Sequence, residues 1–157
     1  MDDIIIRKGN KSDLPEVICL IKDLAVYEKA IDQVDVTIEQ LEEDGFGKRQ
    51  WYWFLVAELS NNIIGLSFYF IRYSTWKGKI LFLEDFIVKE GYRGSGVGDR
   101  LFLATIDICR EFNLNGMCWQ VLDWNHNAIG FYKKYGAQIS TSWLNGNFTK
   151  DQISNFN

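Results

Sequence analysis

Two carboxylates stand side by side inside an apolar run, Glu84 and Asp85 in the segment ILFLEDFIV at 80–88. Under the two-residue period of a strand, Ile80, Phe82, Glu84, Phe86 and Val88 share one face, and Leu81, Leu83, Asp85 and Ile87 share the other. Both faces are apolar, which predicts a central strand. Carboxylates there are costly unless Arg, Lys or backbone donors satisfy them or a cleft reaches them. Both readings are open, and the second makes at least one of the pair an active-site group. The next segment, YRGSGVGDR at 92–100, places Gly94, Gly96 and Gly98 at alternate positions just before a helical pattern. Free amides at a helix N-terminus can meet an anion that bare glycine backbone lets approach, and Arg93 adds a paired donor fork. The spacing is neither the dinucleotide G-x-G-x-x-G nor a nucleotide P-loop with its G-K-[ST], and a plain tight turn is the competing reading.

A third segment, WNHNAIGFYKKYGA at 124–137, sets Ala128, Phe131, Tyr132 and Tyr135 on one helix face. Such a tyrosine can simply fill core. Alternatively, a phenol with the ordinary pKa of about 10 can give a proton to a leaving thiolate of pKa about 8.5. His126 is the single histidine, with no Cys or Asp partner in sequence, and reads as a solvent-facing loop residue. Cys19, Cys109 and Cys118 are widely spaced and, with one His, give no metal-ligand spacing, so no metal is expected. They read as reduced and mostly buried. The pairs Lys48–Arg49 and Lys133–Lys134 read as solvated surface.

The elements that position these residues follow from periodicity. A short strand at 4–6 precedes a helix opening at Asp13, with Glu16 three residues on as a capping box and Leu14, Val17, Ile18, Ile21, Leu24 and Ala25 as its buried stripe. A weaker helix spans 37–44 and ends at Gly45. Strands at 51–58, 63–73 and 80–88, joined by short turns, predict an antiparallel meander. Val97, Leu101, Ala104, Ile108 and Phe112 restore helical spacing, followed by a strand at 117–122, a helix at 127–135 ending at Gly136, and a final strand at 139–144. The expected fold class is α/β (α+β): a mixed, mostly antiparallel central sheet flanked by helices. With 157 residues and no linker composition, one domain over 1–157 is expected.

Seventeen basic against twenty-one acidic residues give a net charge of −4, the wrong balance for a nucleic-acid or anionic-membrane partner. The N-terminus starts acidic and has only three consecutive apolar residues, no run approaches a membrane span, and a soluble cytoplasmic protein is expected. Aromatics reach 15%, enough to fill a core, line a groove or form an interface.

Together the three segments resemble the GNAT acyl-CoA N-acyltransferases. That family's Arg/Gln-x-x-Gly-x-Gly/Ala pattern is matched by Arg93, Gly96 and Gly98 between a strand and a helix, and its later Asn and Phe-Tyr element is matched up to Phe131 and Tyr132. More narrowly, LIKDLAVYEK, LEEDGFG, FLEDFIV, YRGSGVG and WNHNAIGFYKKYGA, in that order, resemble the diamine group that acetylates spermidine, spermine and thialysine. The resemblance implies a GNAT-like fold, acetyl-CoA (coenzyme A) as the acetyl donor, a small-molecule amine as substrate and a homodimer. It further implies that Phe86, Ile87 and Val88 present backbone groups to the acetyl and pantetheine arm. Gly94, Ser95, Gly96, Val97, Gly98 and Asp99 would hold the pyrophosphate, and Asn125, His126, Asn127 and Ala128 would contact the lower part of acetyl-CoA. Tyr132 would be the general acid, while Tyr27, Glu28, Glu84, Cys118, Trp119 and Gln120 would face the amine. The chain departs from that group where Ser140, Thr141 and Ser142, not an acidic pair, precede Trp143, which leaves fewer carboxylates for a long polycation.

The chemistry of the residues agrees. An amine of pKa about 10 arrives as an ammonium, which Glu28, Glu84 and Asp85 attract. It must lose a proton before attacking a thioester, and Glu84 serves as base if burial raises its pKa or a water relays the proton. Backbone amides of the central strand then stabilise the oxyanion formed by direct attack. Two alternatives remain open: an acetyltransferase acting on protein N-termini or lysines, and a non-catalytic acyl-CoA binding module.

Overall fold

The computed structural model describes residues 3–156, which fall into two compact units, one up to Gln120 and one from Val121 on. The first is a five-stranded sheet with three helices: β1 (Ile5–Lys8), α1 (Leu14–Tyr27), α2 (Ile38–Phe46), β2 (Trp53–Leu59), β3 (Asn62–Ser74), β4 (Gly78–Val88), α3 (Val97–Glu111) and β5 (Met117–Trp119). The strands lie in the order β1-β2-β3-β4-β5, the first three pairings antiparallel and β4 with β5 parallel. The expected mixed sheet and its meander are present. The β2–β3 hairpin turns through Ser60 and Asn61 at φ 50° and 61°, the conformation that two-residue hairpins need.

Each sheet face has its own cover. Val17 and Leu20 of α1 and Leu41 of α2 pack with Phe54, Val56, Leu66 and Ile87 on one face. On the other, Val97 of α3 packs with Ala57 and Ile64. The Ser67 and Thr105 hydroxyls, both buried, meet at 2.7 Å, and Thr105 donates to the Leu101 carbonyl at 2.9 Å, so Ser67 is the donor between them. That pair fixes α3 to β3 at one rotational setting.

Several helix boundaries differ from expectation for identifiable reasons. The capping box before α1 belongs to Asn10 and Asp13, not to Asp13 and Glu16: the Asn10 side chain accepts from the Ser12 amide and the Asp13 carboxylate accepts from the Asn10 amide at 2.8 Å. Arg7 claims the same carboxylate with two donors at 2.7 and 2.8 Å and reaches Glu58 at 2.6 Å with its Nε. Glu16 instead accepts from the Ile63 amide at 3.0 Å. Helix α2 runs through Gly45, because the Tyr52 side chain fills the space where any Cβ at that position would stand. The strand expected at 117–122 forms only over Met117–Trp119. None of the three free cysteines is buried: Cys19 is exposed on the outer side of α1, and Cys109 and Cys118 are partly covered.

The second unit holds α4 (His126–Lys134) and α5 (Lys150–Ser154). Asn125 caps α4 by accepting from the Ala128 amide at 3.1 Å, and Gly136 closes it at φ 79°, as the glycine position foretells. No strand forms at 139–144; the Ser140 hydroxyl instead bonds the hydroxyl and amide of Ser142. Alternation alone does not make a strand without an edge to pair with. Helix α5, unforeseen in a weakly patterned tract, starts from a reciprocal Thr149–Gln152 cap.

The Arg7 fork holds Asp13 below the usual carboxylate range, against the opposing effect of burial. A lowered folded pKa means that this stabilisation is present above the ordinary value of about 3.9 and is lost as pH falls through the folded one. Asp13→Asn should therefore destabilise the chain by about 1–3 kcal/mol in urea unfolding at pH 7, and by much less at pH 2–3. Equal losses at both pH values would show that the ion pair is not the source.

Candidate functional site

The register of β3 against β4 sets the first half of the site. Tyr69 lies opposite Leu83 and Phe68 opposite Asp85, so Glu84 is one extra residue in β4 and makes a bulge. The bulge overturns the simple alternation of the strand. Asp85 shares the α1/α2 face with its cross-strand neighbour Phe68 and with Ile87, whereas Leu83 joins Phe86 on the α3 face. There the Phe86 ring meets Phe102 of α3 edge-on, 5.7 Å between centroids.

Glu28, directly after α1, belongs to the same acidic group. Burial and then the charges of Glu84 and Glu28 push the Asp85 carboxyl up to about 7. Loss of solvation also raises Glu84, although the residue is partly exposed to solvent, and raises Glu28. None of these three carboxylates has a hydrogen bond or ion pair among the described residues. Of the two readings of Glu84 and Asp85, satisfaction by Arg, Lys or backbone donors is therefore not what the fold provides. Three carboxylates whose charges act on one another make a negative patch that attracts cations.

Beside them lies the glycine loop. Gly94 and Gly96 adopt φ 73° and 86°, a region closed to ordinary side chains, and space is open where a Cβ of either would stand. Gly96 is the N-cap of α3 and offers that helix no side chain, which leaves its first-turn amides for a ligand. Arg93 braces the loop through Nε to the Val88 carbonyl at 2.9 Å, with its guanidinium carbon 5.5 Å from the centre of the Tyr27 ring. The Ser95 hydroxyl donates to the Tyr92 carbonyl at 2.6 Å, so it holds the turn's shape. Positive-φ glycines, open space, an uncapped helix start and an exposed arginine fit a pyrophosphate. Among the described residues no group of His, Cys, Asp and Glu could hold a metal ion.

Between acids and loop runs the second half of β4. Its ladder with β5 covers Leu81–Leu83 against Met117–Trp119 and stops at the bulge. Phe86, Ile87 and Val88 thus carry no β5 ladder among the described residues, and the Val88 carbonyl accepts from Arg93. In β5, Cys118 pairs with Phe82 and Trp119 with Leu83, and the Trp119 ring meets Phe102 edge-on at 6.2 Å. Gln120 is exposed just beyond. The fold thus gathers Tyr27, Glu28, Glu84, Asp85 and Arg93 around the end of α1 and the bulge.

In the second unit, His126, Asn127 and Ala128 form the first turn of α4, with His126 and Asn127 exposed, while the Asn125 side-chain oxygen is committed to its cap. Tyr132 is buried on that helix, its ring 5.5 Å from Phe131, which also meets Tyr135 at 5.4 Å. The face expected from spacing is present.

Residues 21–137 match the model of the acetyltransferase (GNAT) family. The chain belongs to that family. A thialysine N-epsilon-acetyltransferase of Bos taurus is 37% identical over 146 residues, 88% of this chain and 86% of that protein. A spermidine/spermine N(1)-acetyltransferase-like protein 1 of Homo sapiens is 34% identical over 98% of this chain and 24% of its own length. In fold the chain is similar to an aminoglycoside acetyltransferase from an uncultured soil metagenomic sample, solved in complex with trehalose, at TM-score 0.78, 19% identity and coverage of 94% and 97% of the two chains. An aminoglycoside N-acetyltransferase solved in complex with CoA superposes at TM-score 0.74, with 18% identity over 92% and 94%. The chain is a GNAT-type N-acetyltransferase with a GNAT-like fold.

Adjacent acids in an apolar run announce themselves in sequence, but which of them is turned under α1 and raised furthest is decided by the bulge, and it is Asp85. A raised folded pKa withdraws stability as pH climbs: nothing is lost below the ordinary carboxylate value, and the full penalty stands above about 7. Asp85→Asn should raise unfolding stability by roughly 2–4 kcal/mol at pH 8.5 and leave it nearly unchanged at pH 3.5. A loss of stability at pH 8.5 would contradict the strained carboxylate.

Proposed function

We propose that this enzyme transfers the acetyl group of acetyl-CoA to a primary amine of a small diamine, polyamine or thialysine-like amino acid. The observation that carries the reading is the unpaired cluster of Glu28, Glu84 and Asp85 beside an anion-ready loop. It joins a cation site to a pyrophosphate site within one unit. The names of the thialysine and spermidine/spermine relatives agree with an amine of this kind. We also read the two compact units as one catalytic domain, since the family match runs from 21 to 137 across their boundary.

Acetyl-CoA supplies a thioester carbonyl for the amine to attack. Gly94, Ser95, Gly96, Val97, Gly98 and Asp99, with Arg93, would hold its pyrophosphate, and the backbone of Phe86, Ile87 and Val88 would align its arm. Asn127, Ala128 and the neighbouring His126 would touch its lower part, with Asn125 acting mainly as the cap that shapes the turn. Glu28 and Glu84 draw in the ammonium, alongside Tyr27 and the β5 residues Cys118, Trp119 and Gln120. Asp85, with a carboxyl near 7, takes the proton that frees the nitrogen, directly or through water. Glu84 then acts by charge, raising Asp85 as well as attracting the substrate. Tyr132 gives its phenolic proton to the departing sulfur.

The family resemblance extends to a homodimer, which sedimentation equilibrium at micromolar concentration should show; a monomer across that range would reject it. A reducing cytoplasm suits three free thiols. Among the described residues no helix is long and apolar enough to cross a membrane.

Coenzyme A release should appear with diamines, polyamines or thialysine and be far slower with short peptides. Gly96→Asp should abolish measurable acetyl-CoA binding in calorimetry while the protein stays folded, because it sets a side chain and a negative charge where phosphate must approach. Tyr132→Phe should keep the fold and lower turnover roughly 10²-fold to 10⁴-fold at saturating acetyl-CoA. Turnover near wild type at every pH would remove Tyr132 as the acid and leave the loop assignment untouched.

A further inference from the structure

A second cavity, of about 450 Å³, opens at the other end of α3 from the glycine loop. Its walls are Phe46, Trp53, Phe54, Tyr69, Ile71 and Phe112, with Lys8 and Gln50 as its polar lining. Phe112 directly follows the fifteen residues of α3. At 1.5 Å per residue, that helix separates the cavity from the loop by about 20 Å. Tyr69 also stands on the α3 face, opposite Leu83, whereas Asp85 lies on the other face. The volume is that of a small-molecule site, and its wall is mainly aromatic.

One polar atom makes this more than an apolar hollow. Tyr69 is 3% exposed, yet its hydroxyl has no hydrogen bond among the described residues. No sealed side-chain oxygen lacks a partner there, so the accessibility that this hydroxyl retains is toward the cavity that Tyr69 lines. Burial, with the charges of Glu111 and Cys109, pushes its pKa up to about 12, and it remains a donor throughout the neutral range. A hydroxyl without a protein partner that faces a cavity can donate to a ligand that brings an acceptor. Lys8 adds no net charge, being paired with Glu111 at 3.3 Å.

We propose that this cavity is a second ligand site, separate from the catalytic one, for a small uncharged aromatic molecule bearing one hydrogen-bond acceptor that meets the Tyr69 hydroxyl. Aromatic walls favour a flat ring system, and the Tyr69 hydroxyl favours a carbonyl-type oxygen over a hydrocarbon. Tyr69 pairs with Leu83 beside the β4 bulge, so its side chain sits one ladder rung from Asp85 on the opposite face of the sheet.

The probes are 2-acetylnaphthalene and its isostere 2-isopropenylnaphthalene, in which a methylene replaces the carbonyl oxygen. Binding is followed in the full chain by NMR shifts of the Trp53 indole and the Ile71 methyls. The ketone should saturate those signals, and saturating coenzyme A should leave the shifts in place. Tyr69→Phe should weaken the ketone at least tenfold and change the hydrocarbon less than twofold. Ile71→Trp, which fills the space, should remove binding of both. Absence of saturable shifts, displacement by coenzyme A, or equal ketone affinity for wild type and Tyr69→Phe would overturn the proposal. So would binding only on dilution to a monomer, since a second copy would then be the occupant. If Ile71→Trp fails to fold, the Tyr69→Phe comparison still decides.

Discussion

One extra residue in β4 governs the site. Were β4 regular through Glu84, Asp85 would share the α3 face with Leu83 and Phe86 would fall on the other; the bulge reverses both. The bulge sends the charged side chain under α1 and the ring toward Phe102, and the same irregularity coincides with the end of the β5 ladder. A continuous parallel pairing would have consumed the strand edge at Phe86–Val88. A bulge that re-aims a side chain and ends pairing is therefore what, in the function we propose, would let one strand serve both an amine and an acyl carrier.

The helix that follows carries the second constraint. An uncapped N-terminus attracts an anion only if it is held at a fixed place, and α3 is held from both sides. Val97 is wholly buried under the sheet, and the Ser67–Thr105 pair pins the helix two turns farther along. The loop before it is drawn back to β4 by Arg93 on the Val88 carbonyl. Rigidity here comes from the core side, while Arg93 and Gly94 on the loop's outer side are exposed.

Much of this was legible in the residues. The glycine alternation, the strand and helix periods and the adjacent acids are local signals, and they found the sheet, α1 to α4 and the loop. What was not legible depends on pairing. A bulge leaves no mark in a two-residue period, so Asp85 could not be told from Glu84, nor Phe86 placed beside Phe102. Glu16 sits at capping-box spacing yet serves the Ile63 amide, because that amide lies 47 positions away in sequence and adjacent in space. The segment at 139–144 alternates like a strand but has no ladder, and Gly45 marks a close approach by Tyr52 instead of a helix end. Tertiary contacts, not propensity, settled each case.

In the reaction we propose, the acidic cluster would also let a carboxylate take a proton from an amine. Moving a proton from an alkylammonium of pKa about 10.4 to an ordinary aspartate of about 3.9 is uphill by roughly 9 kcal/mol. With Asp85 raised to about 7, the gap falls to roughly 4–5 kcal/mol, well within the barrier of an enzymatic step. The terms that lift it, burial and two neighbouring acids, are the same terms that draw the ammonium in. Their effects oppose once it arrives: a bound cation lowers Asp85 again, and release of the proton restores a neutral amine that the acids no longer hold. A single carboxylate would have to choose between attracting the charge and removing it. In the proposed reaction the work would be divided, with Glu28 and Glu84 bearing charge near the surface and Asp85 deeper and close to neutral, so that attraction stays in place while the proton acceptor stays near the pH at which it must act.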